Sequence, residues 1–123
     1  MLSERAPRSH ATLSNVAESA AELACAARTY DAIVGTLHSA GRARRGLGAM
    51  EIAVLKRDRA HLVNTCLNAV ERLIRQLATA GIFETSPAQR HWRDLQVMAT
   101  HMDVNWDAAM SAYGNYMLMR TPN

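Results

Sequence analysis

Apolar side chains recur along this chain at alternating steps of three and four residues, in three long blocks. In the first block the stripe is Leu13, Val16, Ala20, Leu23, Ala27, Tyr30, Val34 and Leu37. A helix turns once per 3.6 residues, so this spacing lines one helix face and marks it as a packing face. It predicts a helix over 9–40, with Ser9 as its N-cap and Gly41 as its stop. The second block predicts a helix over 47–80. Leu55, Leu62, Cys66, Ala69, Leu73 and Ala80 form one stripe there, and Val63, Val70, Ile74 and Leu77 widen it. A stripe of that width implies burial on more than one side, as in the interior of a bundle.

The third block opens at Ser86–Pro87, with proline suited to the first helical position. Trp92, Leu95, Ala99, Met102, Trp106, Ala109, Tyr113 and Met117 form its seam, which reads mainly as core. A second stripe runs beside the seam through Asp94, Met98, His101, Asn105, Ala108 and Ala112, mixing small and polar groups. Asp103 and Asn105 are both able to cap a new helix, so helices over 87–101 and 105–118 are expected, with the break just after His101. The fold class is therefore all-α, an antiparallel helical bundle. Its expected organisation is a flexible stretch over 1–8, one bundle domain over 9–119 and a short tail over 120–123.

Composition agrees with helix. Of the residues, 49% are hydrophobic but only 5% aromatic, and Ala, Leu and Met supply most of the packing. The three stripes call for more partner surface than three helices and a short fourth provide, so a homo-oligomer, dimer or larger, is expected. The net charge is +3, and part of it lies in "GRARRG" at 41–46. That run reads as a solvated loop between helices or as a contact for phosphate or an acidic partner. Without interleaved aromatics it gives no case for nucleic acid. Cys25 and Cys66 lie within helical patterns and form no disulfide framework, and no apolar run is long enough to span a membrane. The N-terminal "MLSERAPRSH" has no hydrophobic signal core, and a cytoplasmic protein is expected.

Several chemistries drop out. Asp58 and His61 make a single Asp-x-x-His with no second copy, read as a surface salt-bridge pair and not half of a di-metal site. No Cys/His spacing suits zinc, and no metal is expected. No G-x-S-x-G, P-loop or G-x-G-x-x-G is present, and neither Cys has a His at helical spacing. His101 remains: on the polar stripe, near a helix end, of the residue type that handles protons near neutral pH.

The stretch "SPAQRHWRDLQVMATHMDVNWDAAMSAYG" at 86–114 resembles the C-terminal signature of acyl-CoA dehydrogenase-like flavin-dependent monooxygenases. These are oxygenase components of two-component aromatic hydroxylases. The pattern is Ser-Pro, an Arg, Arg-Asp, a His seven residues on and a later Gly. Here it falls on Ser86, Pro87, Arg90, Arg93, Asp94, His101 and Gly114. "ATAG" at 78–81 is similar to the family's small-residue turn, with Ala80 where a second Gly is usual. "LSNVAESAAELACAARTYDAIV" resembles the helix before it.

The resemblance implies the C-terminal four-helix bundle of a three-part fold, here without a counterpart to that bundle's first helix. It implies His101 as the catalytic residue facing substrate, and backbone at Ala80 and Gly81 approaching the cofactor. Arg93 and Asp94 would hold their helix by ion pairing, while Trp92, Trp106 and Tyr113 stay core. The cofactor would be reduced flavin, FMN or FAD, bound only in a complete enzyme. A flavin reductase and a separate chain carrying the N-terminal and β-barrel domains would be partners, and no activity is expected of this chain alone. The alternative is a non-catalytic helical oligomerisation module or a truncated remnant of that family.

Overall fold

The computed structural model describes residues 8–79, 87–101 and 105–120, with the side chains of Thr79 and Arg120 left aside. Four helices follow in order: α1 (His10–Arg42), α2 (Ala49–Thr79), α3 (Ala88–Ala99) and α4 (Trp106–Arg120). No strand occurs among the described residues. The four expected helices are all present. Ser9 caps α1 as expected, its Oγ accepting from the Thr12 N–H at 3.2 Å. Asn105 caps α4, its side-chain oxygen accepting from the Ala108 N–H at 3.0 Å.

The end of α1 differs from the expectation. Gly41 lies inside the helix, which runs on to Arg42. The chain turns at Arg44, whose φ of 50° is left-handed. The Arg45 N–H reaches back to the Ala40 carbonyl at 2.9 Å and the Arg44 N–H to Gly41 at 3.1 Å. This is the paired C-terminal cap that ordinarily places glycine where Arg44 stands. Gly48 then starts α2. Its carbonyl accepts from the Ile52 N–H at 3.0 Å, and its own N–H donates to Glu51 Oε1 at 3.1 Å. Arg45 closes the turn with a two-pronged ion pair to Glu51, at 2.6 and 3.1 Å.

α1 and α2 pack antiparallel, and α3 and α4 both rest on α2. α2 is thus surrounded on several sides, as its wide stripe predicts. The contact face of α1 is not the large apolar stripe. The buried residues of α1 are Ser19, Ala26 and Ala40, and Thr12, Asn15, Glu22, Thr29, Ile33 and Thr36 are half-buried along the same line. These small and polar positions also step by three and four. Opposite them, Ala60 and Ala69 of α2 are buried. Alanine-sized side chains let two helix backbones come close, so main-chain packing replaces side-chain interdigitation. Meanwhile Leu13 (56%), Tyr30 (58%) and Leu37 (48%) stay exposed, with Val16, Leu23 and Val34 beside them.

The third block is only partly core. Ala109 is buried, while Trp92, Leu95, Ala99 and Tyr113 are half-buried. Trp106 and Met117 are exposed, against the expectation that Trp106 is core. A helix pair resting on a single neighbour has one buried side, so only part of a long seam is covered. Trp106 instead lies against His61, with ring centroids 6.0 Å apart. Arg57 stacks over the Tyr113 ring at 4.4 Å.

Candidate functional site

An apolar groove of about 660 Å³ opens where the start of α1, the end of α2 and the start of α3 meet. Val16, Val70, Leu73, Ile74 and Leu77 form its wall, and Arg8, Thr12, Gln76 and His91 its polar rim. Its size and lining suit part of a flat organic ligand. Among the described residues it offers one apolar wall with a single cation, Arg8, at the rim. That fits the face of a ring system and does not make a complete phosphate site.

Two further hollows flank the α1–α2 pair. Ile33, Leu37, Leu47, Ile52 and Leu55 line one of about 200 Å³, with Lys56 and Arg59 at its edge. The other, about 340 Å³, is polar and lined by Glu18, Glu22, Asn68, Glu71, Arg72 and Arg75. At its base the fully buried Ser19 donates from Oγ to the Ala69 carbonyl at 2.9 Å and accepts from Arg72 at 3.0 Å. Arg72 also pairs with Glu22, and with Glu18 at 3.3 Å. A buried hydroxyl with both a donor and an acceptor partner is satisfied, and this clamp serves α1–α2 register, not catalysis.

His101 lies on the exposed turn after α3. α3 ends at Ala99, two residues before the expected break. The Thr100 hydroxyl donates to the Val97 carbonyl at 2.7 Å, and the Thr100 and His101 N–H groups close tight turns to Val97 and Met98 at 3.2 and 3.1 Å. His91 lines the groove and His101 is ten residues on, so the two are about 15 Å apart along the helix direction. The chain alone does not bring His101 to the groove. Ala80 and Gly81 lie outside the described residues, although Leu77 and Ala88 on either side of them line the groove wall and its edge.

Arg93 and Asp94 are exposed and make no ion pair with a described residue, so the expected helix-holding pair is absent there. Solvent competes for both groups on that outer face. Asp58 pairs with Arg57 at 2.7 Å, not with His61, because His61 turns to Trp106. No group of three His, Cys, Asp or Glu able to hold a metal occurs among the described residues. Cys25 and Cys66 are free thiols, and burial pushes the Cys66 thiol up from its ordinary range. In "GRARRG", Arg45 is spent on Glu51. The pair holds the Arg45 guanidinium above its usual range, and Arg45 with the Gly48 N–H holds the Glu51 carboxyl below its own.

Known proteins place these features in a lineage. The family described as acyl-CoA dehydrogenase, C-terminal domain, matches residues 3–106, covering α1 to α3 and the first residue of α4. The chain belongs to this family. It is 33% identical over 67 residues to the FADH(2)-dependent resorcinol hydroxylase, oxygenase component, of Rhizobium sp. (strain MTP-10005), covering 54% of this chain and 16% of that protein. It is 30% identical over 66 residues to a pigment production hydroxylase of Rhodococcus sp. (strain ATCC 21145), covering 54% and 17%. The chain thus spans about a sixth of the length of these relatives. No solved structure gives a significant match. Among the described residues, no helix is long and apolar enough to cross a membrane.

Proposed function

We propose that this chain is the C-terminal helical part of a flavin-dependent monooxygenase, contributing to the flavin and substrate pocket and to an oligomer interface. The observation that carries the reading is family membership over 3–106 together with two hydroxylase relatives, one of them named as an FADH(2)-dependent oxygenase component. Bound reduced flavin, FMN or FAD, would supply oxygen activation. The groove wall of Val16, Val70, Leu73 and Leu77 would lie against the ring system, with backbone at Ala80 and Gly81 beside it. His101 would take up or return the proton of the substrate as charge develops on it, the ordinary work of an imidazole near neutral pH. The partners of this reading are a flavin reductase, a chain carrying the N-terminal and β-barrel domains, and further copies of this chain in a dimer or tetramer. The setting is the cytoplasm.

The test is reconstitution with reductase, reduced flavin and the barrel-bearing chain. The complex should take up flavin and hydroxylate. His101→Ala should lower hydroxylation by about 10²–10⁴-fold while oxygen is still consumed and released as hydrogen peroxide. A mixture that takes up no flavin overturns the enzymatic reading. It leaves the alternative, a non-catalytic helical module, which the separation of His101 from the groove favours. Flavin uptake with unchanged hydroxylation by His101→Ala removes the histidine alone.

A further inference from the structure

The hollow between the end of α1 and the start of α2 carries two cations that no carboxylate answers. Ile52, Leu55, Lys56 and Arg59 follow the i, i+3, i+4, i+7 spacing of one helix face. The first two supply apolar wall and the last two supply charge. Ile33 and Leu37 of α1 and Leu47 of the connection complete a volume of about 200 Å³.

Lys56 and Arg59 stand three residues apart, where two like charges on a helix are neighbours and repel. Apart from each other, their positions three and four residues away are Ile52, Ala53, Leu55, Ala60, Leu62 and Val63. α2 therefore offers neither of them a carboxylate at helical spacing. The acids closest in sequence are already engaged, Glu51 with Arg45 at 2.6 Å and Asp58 with Arg57 at 2.7 Å. On α1, Glu18 and Glu22 are held by Arg72, and Asp31 is exposed on the side of the helix away from Ile33. Arg57 and Arg72 are half-buried like Arg59, and each holds a carboxylate. Arg59 makes no ion pair with a described residue, and its Nε is buried without a hydrogen-bond acceptor. Folded proteins seldom shut a charged donor away from both water and an acceptor, and such a group is answered by whatever anion reaches it.

Size and charge together define that anion. A cavity of about 150 Å³ lined by Leu, Ile and Phe holds a benzene molecule. The hollow here exceeds that by the room of one small substituent. A bare inorganic anion would leave the apolar wall unfilled, and a neutral arene would leave both cations unanswered. A planar carboxylate matches the guanidinium fork with two parallel bonds.

We propose that this hollow binds an aromatic monocarboxylate of one ring. The ring lies among Ile33, Leu37, Leu47, Ile52 and Leu55. The carboxylate accepts from the Arg59 guanidinium, and the exposed Lys56 ammonium adds its charge at the mouth. From Leu55 to Leu73 of the large groove is eighteen residues of α2, or about 27 Å. The site is thus separate from that groove, and it stands whether or not the chain takes part in flavin chemistry.

Titration of the full chain, with carbon-13 in its Ile and Leu methyl groups, tests it with three probes. Benzoate should shift the methyl signals of the five apolar lining residues saturably, with a Kd of about 1 mM or less for so small a ligand. Benzamide keeps the ring and loses the charge, and should bind at least about tenfold more weakly. Inorganic phosphate keeps the charge and loses the ring, and should leave those methyl signals in place. Arg59→Gln should weaken benzoate by about tenfold or more, and Lys56→Gln by less. The comparison of benzoate with benzamide on the wild type needs no variant and stands even if Arg59→Gln fails to fold. Any of four results overturns the proposal: no saturable shift, benzamide as tight as benzoate, phosphate moving the same signals, or benzoate moving Leu73 and Leu77 of the groove instead. Lining signals that change with protein concentration and resist benzoate would mean that a second copy covers the hollow, and overturn it too.

Discussion

The two faces of α1 share one spacing and have opposite fates. One carries Leu, Val and Tyr and is open; the other carries Ser, Thr, Ala, Asn and Glu and is covered by α2. Hydrophobicity alone would reverse them. Burial of a large apolar side chain gains about 1.5–3 kcal/mol, yet that gain goes to whichever partner seats it. Within the chain, the small face wins on geometry. Ala26, Ala40, Ala60 and Ala69 bring the backbones close, and Ser19 bonds across the contact to the Ala69 carbonyl and to Arg72. The large face is left for another surface. One helix can therefore hold its own fold with one side and offer a contact with the other.

The sharpest way to break this contrast is to put bulk into the small face. Ala69→Leu inserts three carbons where a fully buried alanine meets Ser19, and overpacking there should cost about 3 kcal/mol. Tyr30→Ser, on the large face, should change the stability of the single chain by no more than about 0.5 kcal/mol. Chemical denaturation at concentrations too low for association checks both. Equal losses would mean that the faces do not divide their work in this way.

The next effect removes the clamp. Arg72→Ala strips Ser19 and Glu22 of their shared cation, and hydrogen bonds to charged groups suggest a loss of about 2 kcal/mol. Ser19→Ala should cost less, because it removes the hydroxyl together with its need for partners. A double-mutant cycle separates the two. If Arg72→Ala is silent, close packing alone holds the helices.

At the far end of the same interface the expected change is a gain. Arg44 holds a left-handed φ of 50°, which costs a side-chain-bearing residue about 1–2 kcal/mol over glycine. Arg44→Gly should therefore stabilise the chain by about 1 kcal/mol, after the greater freedom of glycine in the unfolded chain is allowed for. Thermal melting of the two proteins at one concentration measures it.

Helix number, order and the capped starts of α1 and α4 were legible because long 3–4 stripes and caps at Ser9 and Asn105 are local signals. The helix–helix contacts were not. The buried line from Thr12 to Ala40 has the same spacing as the apolar stripe, but small and polar residues score as surface when each helix is read by itself. Only a partner with Ala60 and Ala69 at matching heights makes that line an interface, and that is a property of two helices together. Gly41 misled for a related reason. Glycine tolerates helix, and the turn fell three residues later on Arg44, which bonds back to Gly41, while the next residue, Arg45, is held by Ala40 and Glu51. The family resemblance on 86–114 was legible in the spacing of Ser86, Pro87, Arg93, Asp94 and His101. The groove was not, because its wall and rim come from three helices that the fold brings together.

The smallest expected effect concerns the turn that sets α1 against α2. Arg45 first, and the Gly48 N–H second, hold the Glu51 carboxyl below its ordinary range. A carboxylate with a lowered folded pKa adds stability above its unfolded pKa and loses that contribution as pH falls through the lowered folded value. The turn should therefore be indifferent to pH through the neutral range and loosen only in acid, below the ordinary glutamate range. Because both side chains are substantially exposed, the change in global stability should be slight. A carbon-detected titration of the Glu51 carboxyl reads the effect directly. Arg45→Gln should move its midpoint up toward that of an ordinary glutamate, while Arg42→Gln, one turn back on the same basic run, should leave it in place. Equal shifts in the two variants would mean that general charge, and not the two-pronged pair, lowers the carboxyl. The turn would then give α1–α2 register no more than an ordinary loop does, leaving the Ser19–Arg72 clamp and the small-residue contact to set it.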